Sequence, residues 1–161
     1  MLTRRFVLSA ATALTVAACA SAPTQSQVSE DIQLVAAGAQ TVLASIQALP
    51  ANQQPAPATE TQIASALQYI ATNAPTLASL TPPVSPVPNV LSTIENDLTT
   101  IANLAEPFWP ESTSIGSLLL ALVTLGSLVY QEITGTVSAK LKASAMTPAQ
   151  ARVIIRAATA K

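Results

Sequence analysis

An all-α fold, a small bundle of four to five helices with Pro-rich connectors and one strongly apolar helix, follows from three observations. Half of the 161 residues are apolar yet only 3% are aromatic, and four glycines accompany a bulk of Ala, Leu, Val and Ile. That composition favours helix over sheet. Apolar residues recur in alternating steps of four and three through several segments, the rhythm of a buried helical face. The twelve prolines cluster between those segments, where a missing amide and a fixed φ do no harm.

The chain starts with Met1–Ala20, MLTRRFVLSAATALTVAACA. A basic start at Arg4 and Arg5, an uncharged apolar run and a small-residue end form the plan of a secretory signal, assigned to residues 1–18. The end, Val16-Ala17-Ala18-Cys19, resembles the lipobox of bacterial lipoproteins, in which the cysteine is lipidated and becomes the first residue of the mature chain. Cys19 is the only cysteine, and it occupies the required place. The resemblance covers the leader alone and implies export and a membrane anchor in the cell envelope, facing the periplasm. Ala20 and Ser21 follow where an Asp would retain an enterobacterial lipoprotein in the inner membrane, which permits outer-membrane sorting by the same resemblance. Thr3-Arg4-Arg5-Phe6-Val7-Leu8 also resembles a twin-arginine export signal, departing from it at Val7 and Ser9.

Residues 19–25 are the lipidated cysteine and a small polar tether. The bundle domain is expected over 26–135. Its first helix, Ser26 to Leu49, carries Val28, Ile32, Val35, Ala39, Val42, Ile46 and Leu49 on one seam. Pro50, Pro55 and Pro57 break the chain. Thr59 and Gln62 have capping-box spacing, so a second helix is expected from Glu60, with Ile63, Leu67, Ile70 and Ala74 inward and an end near Asn73, before Pro75. Residues 75–88, with five prolines and no charge, read as an extended connector or a loop laid on the bundle. A ligand for an aromatic groove in a partner is the sharper alternative. Asn89 is the expected cap of a third helix, Val90 to Glu106, with Leu91, Ile94, Leu98, Ile101, Ala105 and Phe108 on its seam. Glu95 and Asp97 fall off that seam, on what should be a solvated face.

Thr113 to Gln131 is nineteen residues without charge, flanked by Glu111 and Glu132. Two readings stay open. As a membrane span it has the right length, and Trp109 and Tyr130 bracket it about 31 Å apart on a continuous helix, as interfacial aromatics would. As a bundle core it would give the three single-seam helices a shared partner. Beyond Gly135, residues 136–161 form a basic segment with a short helix, started by Thr147-Pro148-Ala149-Gln150 and reaching Ala158.

Charge is sorted along the chain. All eight acids, Glu30 to Glu132, precede Gly135, and the mature chain's five cations, Lys140, Lys142, Arg152, Arg156 and Lys161, follow it. Such asymmetry reads as a statement about surroundings or self-association: a cytoplasmic position for the tail if the apolar helix spans, and packing near the acidic helices or against anionic lipid if that helix is core.

Several function classes lose their key residues. There is no histidine and only one cysteine, so no cofactor or metal is expected, and a disulfide within the chain is impossible. No G-x-S-x-G elbow, S-x-x-K spacing or Gly-rich phosphate loop occurs, and catalytic residues are expected to be none. Nucleic acid is not an expected partner, because a single short basic cluster has no aromatic companion. The expectation is a non-catalytic, lipid-anchored envelope protein acting as a structural or interaction module, bound to a membrane through Cys19 and open to a helical partner or self-association. The alternative is a membrane protein of lysis or pore-accessory type whose helix 113–131 spans and self-associates.

Overall fold

The structure, a computed structural model, describes residues 24–110, 113–141 and 145–160. They form five α-helices: α1 Gln25–Gln47, α2 Pro57–Asn73, α3 Asn89–Ala105, α4 Ser114–Thr134 and α5 Pro148–Thr159. Two short 3₁₀ segments, Ala51–Gln53 and Ala74–Ser79, follow α1 and α2, and no strand occurs among the described residues. The all-α bundle expected from composition and rhythm is what forms.

Helices α1, α2, α3 and α4 make a ring, each packed on its neighbours in chain order, with α4 closing on α1. The seams point inward as the spacing requires: Val28, Ile32, Val35, Ala39, Val42 and Ile46 of α1, Ile63, Leu67 and Ile70 of α2, and Leu91, Ile94, Leu98, Ile101 and Ala105 of α3 are all buried. Helix α4 is not a central rod with three helices around it. It packs on α1 and α3 inside the ring, and α5 covers its remaining face while also resting on α1. That arrangement explains why α4 is apolar nearly all round, and why its buried residues, Leu118, Leu119, Ala121, Leu122, Val123, Leu125, Val129 and Ile133 among them, occupy more than one side. Close approach of α3 is made possible by Gly126, where a Cβ would stand 2.1 Å from Leu98 Cδ1.

Caps account for most boundaries, and some differ from expectation. Thr24 caps α1, its amide donating to Gln27 Oε1 at 3.0 Å, so the helix takes Gln25 from the expected tether. Helix α2 begins at Pro57 rather than at Glu60. Proline in the first turn lacks only an amide that would be unpaired there anyway, which leaves Thr59 inside the helix instead of capping it. Asn89 is likewise the first helical residue of α3, preceded by Pro88, and makes no capping bond. Thr113 caps α4, accepting from the Gly116 amide at 2.9 Å, and Gly135 stops it at φ 72°. Thr147 and Gln150 form the anticipated capping box at α5.

The Pro-rich segment splits in two. Its first part is the 3₁₀ turn Ala74–Ser79, with Ala74 and Leu77 buried. Its second part lies on the bundle: the Val84 amide donates to the Ile133 carbonyl at 2.8 Å, satisfying one of the acceptors left open at the end of α4.

Candidate functional site

The basic tail and the acidic helices meet in space. Arg152, in the first turn and a half of α5, donates from Nε to Asp31 Oδ1 and from Nη2 to Asp31 Oδ2, both at 2.6 Å. This is a two-point fork between residues 121 positions apart. Asp31 is 1% exposed and Arg152 30%. One turn further along α5, Arg156 pairs with Glu30 at the surface. On the segment before α5, Lys140 Nζ lies 3.5 Å from Glu95 Oε2 and donates to Asn96 Oδ1 at 2.8 Å. Ser138, buried beside it, donates to Glu95 Oε1 at 2.5 Å and accepts from the Lys140 and Leu141 amides.

These contacts bear on two expectations. Three of the five tail cations find acids of α1 and α3 within the same chain, the packing near the acidic helices that the core reading of the apolar helix expects. Glu95 is buried rather than solvated, held by Ser138 and Lys140. Lys142 and Lys161, like Arg4, Arg5, Val16, Ala17, Ala18 and Cys19, lie outside the described residues. The two aromatics considered as membrane-interface anchors separate: Trp109 is 7% exposed and belongs to the core, and Tyr130 is half-buried against it. Phe108, expected on the α3 seam, is 44% exposed and leans on Trp109 at a 6.2 Å ring separation.

Glu132 completes the cluster around Arg152. It comes from the last turn of α4, and its Oε2 is buried without a hydrogen-bond partner. Burial, and then the neighbouring Asp31 charge, push its carboxyl up to about 7, with Arg152 opposing the shift. Arg152 holds its own proton more tightly than usual, chiefly through its bonds to Asp31. On α3, burial alone raises Asp97. Arg152 and the two carboxyls beside it, Asp31 and Glu132, thus come from α5, α1 and α4, the three helices that pack mutually.

The Asp31–Arg152 fork ties α5 to α1, with Glu132 of α4 beside it. Two grooves lie elsewhere. One, of about 780 Å³, runs along α1 and α2 past Leu43, Gln47, Glu60, Gln68 and Tyr69. A smaller one between α2 and α3 holds Tyr69, Thr93 and Asp97. Among the described residues no three His, Cys, Asp or Glu side chains are grouped to hold a metal ion.

Sequence reading did not pick out Asp31, Glu30, Glu95 and Ser138 as the individual partners of the tail. A signal was present for Asp31, which adjoins the seam residue Ile32: an acid beside a buried position needs a counter-charge. No protein-family model matches the chain, and no curated protein or solved structure matches it.

Proposed function

We propose that this chain is a non-catalytic, lipid-anchored helical protein of the bacterial cell envelope, exported through its leader and held at a membrane by an acylated Cys19. The bundle then serves as a structural or interaction module facing the periplasm. The observation that carries this reading is the leader itself, Arg4-Arg5 followed by an apolar run and Val16-Ala17-Ala18-Cys19, with the chain's only cysteine at the lipobox position.

Two features of the fold support a globular part over a spanning one. A 21-residue helix as apolar as α4 meets the length and composition of a span, yet α1, α3 and α5 take up its apolar faces. Lys140, Arg152 and Arg156 each lie opposite a carboxylate of the same chain, so three of the five charges behind a cytoplasmic tail have another role.

Growth with a clickable fatty-acid analogue tests the anchor. Wild type should incorporate label and Cys19→Ala should not; label on both, or on neither, removes it. Alkaline carbonate should release the Cys19→Ala form, and its retention in the membrane pellet would favour the alternative in which helix 113–131 spans.

A further inference from the structure

The end of the bundle nearest the leader differs from the other end in what it exposes. Helices α1 and α2 are joined by only nine residues, 48–56, so they run antiparallel and the start of α1 lies beside the end of α2. The turn Ala74–Ser79 that follows α2 packs on α1, α2 and α3, which places the start of α3 at the same end. The last turn of α4 joins them: the Val84 amide donates to the Ile133 carbonyl, and a Cβ on Gly135 would stand 3.9 Å from Pro83 Cβ.

Three stretches therefore meet here, 24–29, 75–88 and 133–139, and none contains a charged residue. Val137 is 70% exposed, and Pro83, Pro86 and Val87 are exposed with it. Beside this surface the exposed acid Glu30 is paired with Arg156, and Lys140 keeps half of its side chain in water. The opposite end carries Glu60, in the first turn of α2, and Glu106, at the close of α3. Phe108 is exposed there too, but singly and against Trp109.

Chain length decides which end a membrane anchor at Cys19 can reach. Four residues separate Cys19 from Thr24, so the chain between them spans at most about 18 Å. Helix α1, at 23 residues, carries its other end about 35 Å further along its axis. We propose that the uncharged end of the bundle is a lipid-docking surface, seated on the bilayer that holds Cys19, with Val87 and Val137 in the interface and Glu60 and Glu106 kept in water. The inference rests on the lipidation of Cys19 and adds an orientation to it. A lipid surface suits what this end exposes. Valine and proline side chains leave water on entering the headgroup–acyl boundary, no carboxylate of the three stretches has to approach anionic lipid, and Lys140 at the rim is drawn to lipid phosphate.

Val137→Cys and Gln53→Cys, the latter exposed in the 3₁₀ turn after α1, test the orientation in the full lipidated chain, where lipidation occupies the thiol of Cys19 and leaves one free cysteine. Each is labelled with a polarity-sensitive fluorophore and inserted into the outer leaflet of preformed vesicles of phosphatidylethanolamine and phosphatidylglycerol. Against the same labelled sites in the Cys19→Ala form free in solution, the probe at 137 should shift to the blue and lose most of its quenching by aqueous iodide. The probe at 53 should change in neither respect. Equal protection at both sites, as in a bundle lying on its flank, or stronger protection at 53, overturns the docking and leaves the anchor intact. Failure of the anchor reads differently: Cys19 then takes up a second label and the protein does not float with the vesicles, which removes this inference together with the reading it rests on.

Discussion

Helices α4 and α5 lie against each other and are held by different means. Helix α4 contributes eleven buried residues and meets apolar surface from three neighbours. Helix α5 contributes two buried residues, and its docking is specified by where two arginines find carboxylates. The contrast shows how a short amphipathic helix changes the meaning of a long apolar one. Without α5 an entire side of α4 would face water, and the stretch would resemble a membrane span for good reason. With α5 in place the same residues are ordinary core.

The largest effect should come from the apolar side of this comparison. Leu122 is fully buried in α4, and Leu122→Ala should cost about 3–4 kcal/mol, the transfer term plus the cavity left behind. Urea unfolding would measure it, with protection lost across the whole bundle. A cost under about 1 kcal/mol would mean that α4 is not packed as described.

Arg152→Met comes next. It leaves Asp31 buried without its counter-charge, which in a fully buried pair costs about 3–5 kcal/mol; with Arg152 partly exposed, about 2–3 is expected. The loss should fall on α5 first, visible as faster exchange there than in α1. Adding Asp31→Asn should recover part of the loss, since the stranded charge is then gone. Simple additivity of the two changes would show that no such charge was stranded.

Much of the fold was legible because its signals are local. The four-three seams of α1, α2 and α3, the Thr147 capping box and the Gly135 stop each depend on residues a few positions apart. The starts of α2 and α3 were misjudged because Thr59 and Asn89 carry good capping side chains but sit beside Pro57 and Pro88, and the prolines decide where the helices begin. The ionic cluster was legible only in part, as a buried-side acid and a basic tail, and not as particular pairs. Asp31, Glu132 and Arg152 lie on three helices, and only the ring closure of α4 onto α1, with α5 laid across both, brings them together. Periodicity finds faces, and it does not say which faces meet.

Glu132→Gln sharpens the comparison from the other side. The folded chain holds the Glu132 proton up to about pH 7, above the ordinary value of 4.5 it regains on unfolding. The associated stability is therefore full below about 4.5 and lost as pH rises through about 7. Glutamine keeps the neutral form throughout. Urea melts should show the variant and wild type alike at pH 5, with the variant more stable at pH 8 by about 2 kcal/mol after allowance for partial solvent screening. A variant less stable at pH 8 would show that Arg152 depends on the Glu132 charge.

The smallest effect belongs to Arg156, and it tests what separates one charge pair from another on the same helix. Arg156 follows Arg152 by one turn and also meets an acid of α1, but both members of its pair are about half exposed, at 53% and 54%. Water already solvates those charges, and holding two long side chains together costs entropy, so Arg156→Ala should change stability by only about 0–1 kcal/mol and less in high salt. Denaturant melts of Arg156→Ala beside Arg152→Met, at low and high salt, make the comparison within α5. Equal losses from the two would mean that burial of Asp31 adds nothing, and that α5 is held by net charge instead of by one desolvated fork.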